Sequence, residues 1–341
     1  MSRPFDLTKP ALGAWRDGNT GLEGVWRFES GRPGREVMVS ALVHGNELCG
    51  AWALLDALES GIRPQRGALT LAFCNLAAFD RFDPKNTDRS RFVDQDLNRL
   101  WGTMPWRSST GPLNSEQGRV LELAPFVERA DWLLDLHSMH AEGPPLGLTG
   151  LLPHHAEAAR ALAGPLILVA DAGHAAGVRM RDHGRFGSAQ AGDAVSLLVE
   201  CGWHGALSSR DVAVEMLQRF LLASACIEET DLPPAWRQRI TGPAHATLQK
   251  HAEPHRRVPT AHGLEQGTVL RVTHAVTVQP GDPPRFNRAW QTGETIPSAG
   301  TVIGHDGVEA VRTPYDNCVL VMPSLSHATP GATMVRLAHR S

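Results

Sequence analysis

The sequence predicts an α/β protein with a mixed, largely parallel central sheet flanked by helices, followed by a small C-terminal all-β domain. Five short apolar segments in the first two thirds of the chain are rich in Val, Leu and Ile, which is typical of strands buried on both faces. Helical patterns lie between them, and strands that alternate with helices indicate parallel pairing. After about residue 244 the helical periodicity gives way to alternation of apolar and polar residues.

The candidate elements follow one another in a regular order. The apolar strand segments are 37–43, 69–74, 132–136, 165–170 and 195–199. Apolar residues at three- and four-residue spacing predict helices over 48–58, 115–130 and 212–227. Asn114 or Ser115 is suited to cap the second helix, and Pro125 is expected to bend it. Alternation over 270–278 and the Pro- and Gly-rich turns after it predict short C-terminal strands. We therefore expect one domain over 1–244, a proline-containing linker over 245–257 and a β domain over 258–341.

Composition and charge narrow the classes of function. The 341 residues are 42% hydrophobic and 20% charged, which excludes a disordered chain. Because 33 basic and 36 acidic residues give a net charge of -3, and no basic stripe is visible, we expect no nucleic-acid partner. No apolar run reaches the roughly 18 residues of a membrane span, and the first ten residues lack a secretory pattern. We expect a cytoplasmic protein without membrane contact, and the sequence leaves homo-oligomerisation open.

His44-Gly45-Asn46-Glu47 lies where the first predicted strand meets the first predicted helix. The crevice outside the carboxyl ends of strands is the usual ligand site of an open α/β sheet, and a His and a Glu three residues apart can reach one cation. A Glu that opens a helix and a His that caps it would explain the same residues without a metal. The five cysteines are single, so a metal site would have to rest on other side chains such as these.

Asp135-Leu136-His137-Ser138 ends another predicted strand. A catalytic zinc needs three protein ligands and one open position, and His137 could complete a set of two His and one Glu. Asp135 is suited to accept a hydrogen bond from a ligand imidazole and so to fix its tautomer. A buried His with a satisfied hydrogen bond at a strand end is the alternative interpretation.

Two further features carry candidate chemistry. In the polar loop that runs from Arg91 to Arg99, the two arginines bracket Asn98 and could supply donors for an oxyanion and a carboxylate, although a solvated charged loop would show the same pattern. Glu200 follows five mostly apolar residues, where a carboxylate is costly to bury without a partner. Glu200 is therefore a candidate general base beside a metal site.

Taken together and in this order, the HGNE, RFVDQDLNR, DLHS and VECG segments resemble the succinylglutamate desuccinylase/aspartoacylase family, relatives of the zinc carboxypeptidases, over about residues 35–205. The resemblance implies a zinc-carboxypeptidase-like sheet and one Zn²⁺ per chain held by His44, Glu47 and His137. It also implies that Glu200 is the proton-shuttling base and that Arg91 polarises the scissile carbonyl. Asn98 and Arg99 would bind the substrate carboxylate.

The reaction implied by the resemblance is hydrolysis of a small-molecule N-acyl amino acid. A metal-bound water attacks the acyl carbon while Glu200 acts as general base, and the products are a carboxylic acid and a free amine. The C-terminal β domain would help to cover the entrance of the active site.

The sequence departs from aspartoacylases at two positions. Gln190 and Phe186 stand where those enzymes place an Arg and a Tyr that contact the aspartate side chain, so we do not expect N-acetylaspartate to be preferred. A substrate with one α-carboxylate is expected instead. Three arginines lie near these positions but not at the spacing before Glu200 that the family pattern requires. They are Arg179, Arg181 and Arg185. Tyr315, the lone tyrosine, could reach the entrance or could serve turn and core packing.

Two other functions are compatible with these residues. A metallocarboxypeptidase would use the same zinc ligands to cleave a C-terminal peptide bond. A non-catalytic zinc or small-ligand binding protein could keep the fold without the reaction. Glu200 argues against the second alternative, because binding alone needs no base.

Overall fold

The computed structural model describes residues 5–108, 111–162, 164–188, 192–234, 236–237, 264, 267–326 and 328–341. Within them the chain forms an eleven-stranded mixed sheet and a separate three-stranded sheet. Helices cover both faces of the main sheet, and the C-terminal elements are strands. The predicted fold class is confirmed.

The elements alternate as predicted in the first two thirds of the chain. The strands there are β1 (Val25–Glu29), β2 (Glu36–Ala41), β3 (Ala68–Phe73), β4 (Trp132–Met139), β5 (Leu146–Leu148), β6 (Ile167–Ala170) and β7 (Val195–Trp203). The α-helices are α1 (Leu48–Glu59), α2 (Leu76–Asp80), α3 (Ser115–Arg129), α4 (Pro153–Ala161) and α5 (Leu207–Ala223). In the described ranges, none of the helices is both long enough and apolar enough to cross a membrane.

Each of the five predicted apolar segments lies largely within a strand. The structure differs from the predicted elements where these are short or lack a clear apolar pattern. β1 and β5 were not predicted, because β1 is mostly half-buried and β5 has only three residues. α5 begins at Leu207 rather than 212, since its first turns are polar and carry no apolar period. Asn114 caps α3 as expected, accepting a hydrogen bond from the Gln117 amide, and the helix continues through Pro125.

The centre of the main sheet is parallel. β3, β2, β4 and β7 are parallel neighbours, and β1 and β5 pair with this group in the antiparallel direction. Alternate residues of β2 pack on opposite faces, with Val37 and Val39 in one hydrophobic core and Met38 in the other. Because β2, β4 and β7 run the same way, their carboxyl ends lie at one edge of the sheet.

Within residues 267–326 and 328–341, the regular elements that the structure describes are all strands. These strands are β8 (Val269–Thr277), β9 (Arg285–Phe286), β10 (Thr295–Ile296), β11 (Val302–Asp306), β12 (Glu309–Arg312), β13 (Cys318–Val321) and β14 (Thr333–Arg340). β8 pairs in parallel with β6, so that β8, β14, β13 and β10 extend the main sheet, while β12, β11 and β9 form the small one. This continuation was not predicted. The domain boundaries stay a prediction, and the linker over 245–257 lies outside the described residues.

Candidate active site

The turn between β2 and α1 places His44 and Glu47 at the carboxyl edge of the sheet. Leu42, just after β2, has a left-handed backbone with φ 56°, which redirects the chain into the turn. Gly45 packs against α2 so closely that a Cβ there would collide with the backbone nitrogen of Phe79. A side chain at position 45 would therefore displace the turn, and glycine is required by this close approach.

His44, Glu47 and His137 form a buried cluster. Nδ1 of His44 lies 2.8 Å from Oε1 of Glu47, and Nδ1 of His137 lies 2.8 Å from Oε2 of the same carboxylate. The possible ligand atoms of the three residues are all within 4.8 Å of one another. Two imidazole nitrogens and a carboxylate are a donor set that zinc accepts readily. These three residues could hold a metal ion.

Carboxylates behind the two imidazoles orient them. Oδ2 of Asp135 lies 2.7 Å from Nε2 of His137 and its other oxygen accepts a hydrogen bond from the Ser40 hydroxyl at 2.8 Å. Oδ1 of Asp96 lies 3.0 Å from Nε2 of His44. With a proton on Nε2, the His137 imidazole donates to Asp135 and turns its Nδ1 lone pair toward Glu47. A nitrogen lone pair and a carboxylate repel each other, whereas a cation placed between them would attract both. The donor set therefore fits a bound cation.

The charges of the cluster depend on one another. Burial opposes ionisation of Glu47, but His44 and His137 outweigh it and hold the pKa of this carboxyl well below its usual range. Burial also opposes protonation of His137, yet Asp135 and Glu47 raise the pKa of its imidazole well above the ordinary value. The local field therefore favours positive charge at the centre of the cluster.

Glu200 lies beside His137, because β4 and β7 are parallel neighbours and these two residues are paired in register. The residue is partly open to the cleft, but its Oε2 atom is buried and has no hydrogen-bond partner among the described residues. Burial, and after it the charge of Glu47, raise the pKa of Glu200 to about 8. A carboxyl with a free buried oxygen and a raised pKa is typical of groups that transfer protons.

The loop between α2 and α3 brings Arg91, Asn98 and Arg99 toward the cluster. Nη1 of Arg91 is 3.4 Å from Oε1 of Glu47, and its Nη2 donates to Asp96 at 3.2 Å. The side-chain oxygen of Asn98 accepts the backbone N–H of Met180 at 2.8 Å. Nη1 of Arg99 donates to the Asn98 carbonyl, also at 2.8 Å. This network holds the three side chains of the loop against the rest of the site.

Glu116, in the first turn of α3, anchors the same loop. Its fully buried carboxylate accepts the backbone N–H groups of Val93, Asp94 and Gln95 at 2.6 to 3.1 Å, and the side-chain amide of Asn75 at 2.9 Å. Successive N–H groups that converge on one anion form a rigid cradle. Nothing in the sequence marks this role, because a Glu in the first turn of a helix is ordinary.

All seven candidate residues line one cleft of about 660 Å³. They are His44, Glu47, Arg91, Asn98, Arg99, His137 and Glu200. Residues of the C-terminal strands and their loops complete the wall, among them Trp290, Thr292, Met322, Thr333 and Arg336. This second group was not predicted, because nothing in a short alternating strand pattern marks the residues that will face a distant site.

The remaining candidates lie in different surroundings. Tyr315 places its hydroxyl 2.7 Å from Thr273 Oγ1 and is not among the residues that line the cleft. Phe186 is 2% exposed and belongs to the core around α3, so it packs rather than faces the cleft. Gln190 lies outside the described residues.

The three arginines near the positions of Phe186 and Gln190 are held by different partners. Arg179 lines the cleft but donates to both Asp171 and Asp182. Arg181 is fully buried and pairs with Asp182 at 2.8 Å. Arg185 donates to Asp131 at 2.8 Å, beside the amino end of β4. Arg179 is therefore the one of the three that reaches the cleft.

Comparisons with known proteins agree with this geometry. Residues 33–212 match the model of the succinylglutamate desuccinylase/aspartoacylase catalytic domain. No curated protein sequence matches the chain.

Solved structures share the fold at low sequence identity. A structure described as succinylglutamate desuccinylase/aspartoacylase from Rhodobacter sphaeroides is 16% identical with a TM-score of 0.60, covering 94% of this chain and 90% of that one. Succinylglutamate desuccinylase from Vibrio cholerae is 18% identical with a TM-score of 0.58 and coverages of 93% and 86%. The product-bound ectoine utilization protein EutE (DoeB) from Ruegeria pomeroyi is 14% identical with a TM-score of 0.55 and coverages of 92% and 88%.

Proposed function

Because the chain belongs to the succinylglutamate desuccinylase/aspartoacylase family, we propose that it is a zinc-dependent amidohydrolase that cleaves an N-acyl amino acid into a carboxylic acid and a free amine. The observation that carries the proposal is the pairing of Glu200, whose Oε2 is buried and lacks a partner among the described residues, with the adjacent cluster of two His and one Glu. Binding alone would require the cluster but not a proton-transfer group beside it.

His44, Glu47 and His137 would hold one zinc ion per chain. Three protein ligands leave one position open, which is the arrangement of catalytic rather than structural zinc sites. A zinc ion there would act as a Lewis acid and lower the pKa of a water molecule at the open position to near 7. Asp135 and Asp96 would keep the two imidazoles oriented for this role.

Glu200 would move the proton of the reaction. Its free Oε2 can take a proton from the attacking water and later pass that proton to the leaving amine nitrogen. General acid/base groups of this kind contribute typically about 10²- to 10⁴-fold to the rate. Glu200 would therefore act twice in each turnover.

Arg91, Asn98 and Arg99 would position the substrate. Arg91 lies within hydrogen-bonding distance of Glu47, so its guanidinium is close to the place where negative charge develops on the acyl oxygen. Removal of such a donor typically costs about 3 to 4 kcal/mol of transition-state stabilisation. Asn98 and Arg99 would bind the α-carboxylate of the amino acid.

The test is a substrate panel on zinc-analysed protein. Release of free amine would be measured for N-acetyl and N-succinyl amino acids and, in parallel, for C-terminally unblocked dipeptides. We expect hydrolysis of acyl amino acids and about one zinc per chain. The Glu200→Gln variant should keep its zinc and lose at least about 100-fold in turnover.

Each other outcome identifies a different function. Faster cleavage of the peptides would favour a carboxypeptidase-type enzyme. Zinc-loaded protein that hydrolyses nothing in the panel would favour a binding protein. Near wild-type turnover in Glu200→Gln would show that another group accepts the proton.

A further inference from the structure

Arg336, on β14, brings a buried positive charge into the cleft. The residue is 8% exposed and lines the cleft together with Arg99 and His174. Within the described ranges, its one ion-pair partner is Asp171, whose Oδ2 lies 3.5 Å from Nε. A buried guanidinium normally has well-formed bidentate partners, because desolvation of an unpaired charge is costly. This one has a single long contact.

Asp171 is already engaged by another arginine. Arg179 donates to both of its oxygens, at 3.0 and 2.5 Å, and through Nε to Asp182 at 2.6 Å. Asp182 also pairs with Arg181 at 2.8 Å. Three arginines therefore share two carboxylates, which leaves one positive charge in excess. Arg181 also has guanidinium nitrogens without a hydrogen bond among the described residues, but it is fully buried and does not line the cleft. Arg336 is therefore the incompletely paired arginine of the three that a ligand in the cleft can reach.

Arg99 is a second cation at this end of the cleft with an incomplete counter-charge. Its Nη2 lies 3.8 Å from Asp96, a carboxylate that Arg91 contacts more closely at 3.2 Å. Burial lowers the pKa of Arg99 and of Arg336. Burial, followed by the charges of these arginines, also lowers the pKa of His174 to about 4. The region is therefore positive and suited to an anion.

We propose that Arg336 is a specificity-determining residue that binds the α-carboxylate of the substrate together with Arg99. The inference rests on the proposed function, because it takes an N-acyl amino acid as the ligand. One carboxylate offers two oxygens and about four lone pairs, which is sufficient for two guanidinium groups. The two arginines come from distant parts of the chain, so the C-terminal strands contribute directly to substrate choice.

The test measures binding rather than turnover. Zinc-loaded Glu200→Gln protein would be titrated calorimetrically with N-acetyl-L-methionine and with N-acetyl-L-methioninamide, which differ only in the carboxylate. Adding Arg336→Gln should raise the Kd of the acid by about 10- to 100-fold and leave that of the amide unchanged. Arg336→Lys keeps a charge but not the guanidinium, so it should give an intermediate Kd.

Arg340→Gln is the matched control, because Arg340 is exposed on the same strand and donates only a 3.3 Å hydrogen bond to Thr295 among the described contacts. It should leave both affinities unchanged. Equal weakening of acid and amide by Arg336→Gln would show a structural role and overturn the proposal. An effect on N-acetyl-L-aspartate but not on N-acetyl-L-methionine would overturn it as well, since Arg336 would then bind a side-chain carboxylate.

The two proposals fail differently. Carboxylate-dependent binding that requires Arg336, without hydrolysis by the chain with Glu200 intact, would refute the proposed reaction and leave this inference standing. If the protein hydrolyses acyl amino acids and Arg336→Gln does not change the Kd of N-acetyl-L-methionine, only this inference is refuted. Equal affinity of the parent protein for acid and amide would also refute it.

Discussion

Replacement of Glu200 by Gln should stabilise the metal-free protein at alkaline pH while it removes activity. In the folded chain Oε2 of Glu200 is buried and lacks a hydrogen-bond partner among the described residues, and Glu47 lies close by. Ionised Glu200 is therefore unfavourable in the metal-free fold. Gln has nearly the same shape and no charge, so the substitution removes this cost and leaves the packing in place.

The magnitude follows from the pKa of Glu200, which burial and the charge of Glu47 raise from the ordinary 4.5 to about 8. Below pH 4.5 the carboxyl is protonated in the folded and unfolded states alike. Between 4.5 and 8 the unfolded chain releases the proton and the folded one keeps it, so wild-type stability falls relative to the variant as pH rises. Above pH 8 the variant should exceed the wild type in free energy of unfolding by a constant amount of about 2 to 5 kcal/mol. The upper value corresponds to the full shift of the Glu200 pKa.

The assay compares urea unfolding of chelator-treated wild type and Glu200→Gln at pH 5 and pH 9. The variant should have a slightly higher free energy of unfolding than the wild type at pH 5 and a much higher one at pH 9. Zinc should reduce this difference, because a nearby cation stabilises the Glu200 carboxylate. Glu59→Gln, at the exposed end of α1, is the control and should show no such change. A metal-free wild type that is as stable as the Glu200→Gln variant at pH 9, or more stable, would refute the reasoning.

Three further substitutions test the metal cluster and its turn. His137→Ala should lose zinc and activity together, and full zinc occupancy by mass spectrometry would contradict its assignment as a ligand. Asp135→Asn should weaken zinc binding by about 10- to 100-fold in chelator competition while the fold is kept, because its hydrogen bond to the His137 imidazole is weakened. Gly45→Ala should cost about 3 kcal/mol and weaken zinc binding, since the added Cβ meets the backbone of α2. Gly118→Ala, where a Cβ meets nothing within 4 Å, should instead be stabilising by about 0.5 to 1 kcal/mol.

Much of the cluster could be predicted from local sequence pattern. The apolar runs predict β2, β4 and β7, and His44, His137 and Glu200 lie at or just beyond the ends of those runs. Parallel strands place their carboxyl ends at one edge, so residues at three strand ends meet without any knowledge of long-range packing. The resemblance to a known family then added roles for these residues that pattern alone left open.

The charge balance of the cleft was decided by the tertiary structure alone. Arg336 sits in an alternating strand far from the motifs, and its excess charge exists only because Arg179 and Arg181 already occupy Asp171 and Asp182. The pairing of β8 with β6, which carries the C-terminal strands onto the main sheet, likewise has no local signal. Periodicity is a property of consecutive residues and can be read along the chain. Ion pairing and sheet order depend on which distant residues the fold brings together, so only the three-dimensional structure determines them.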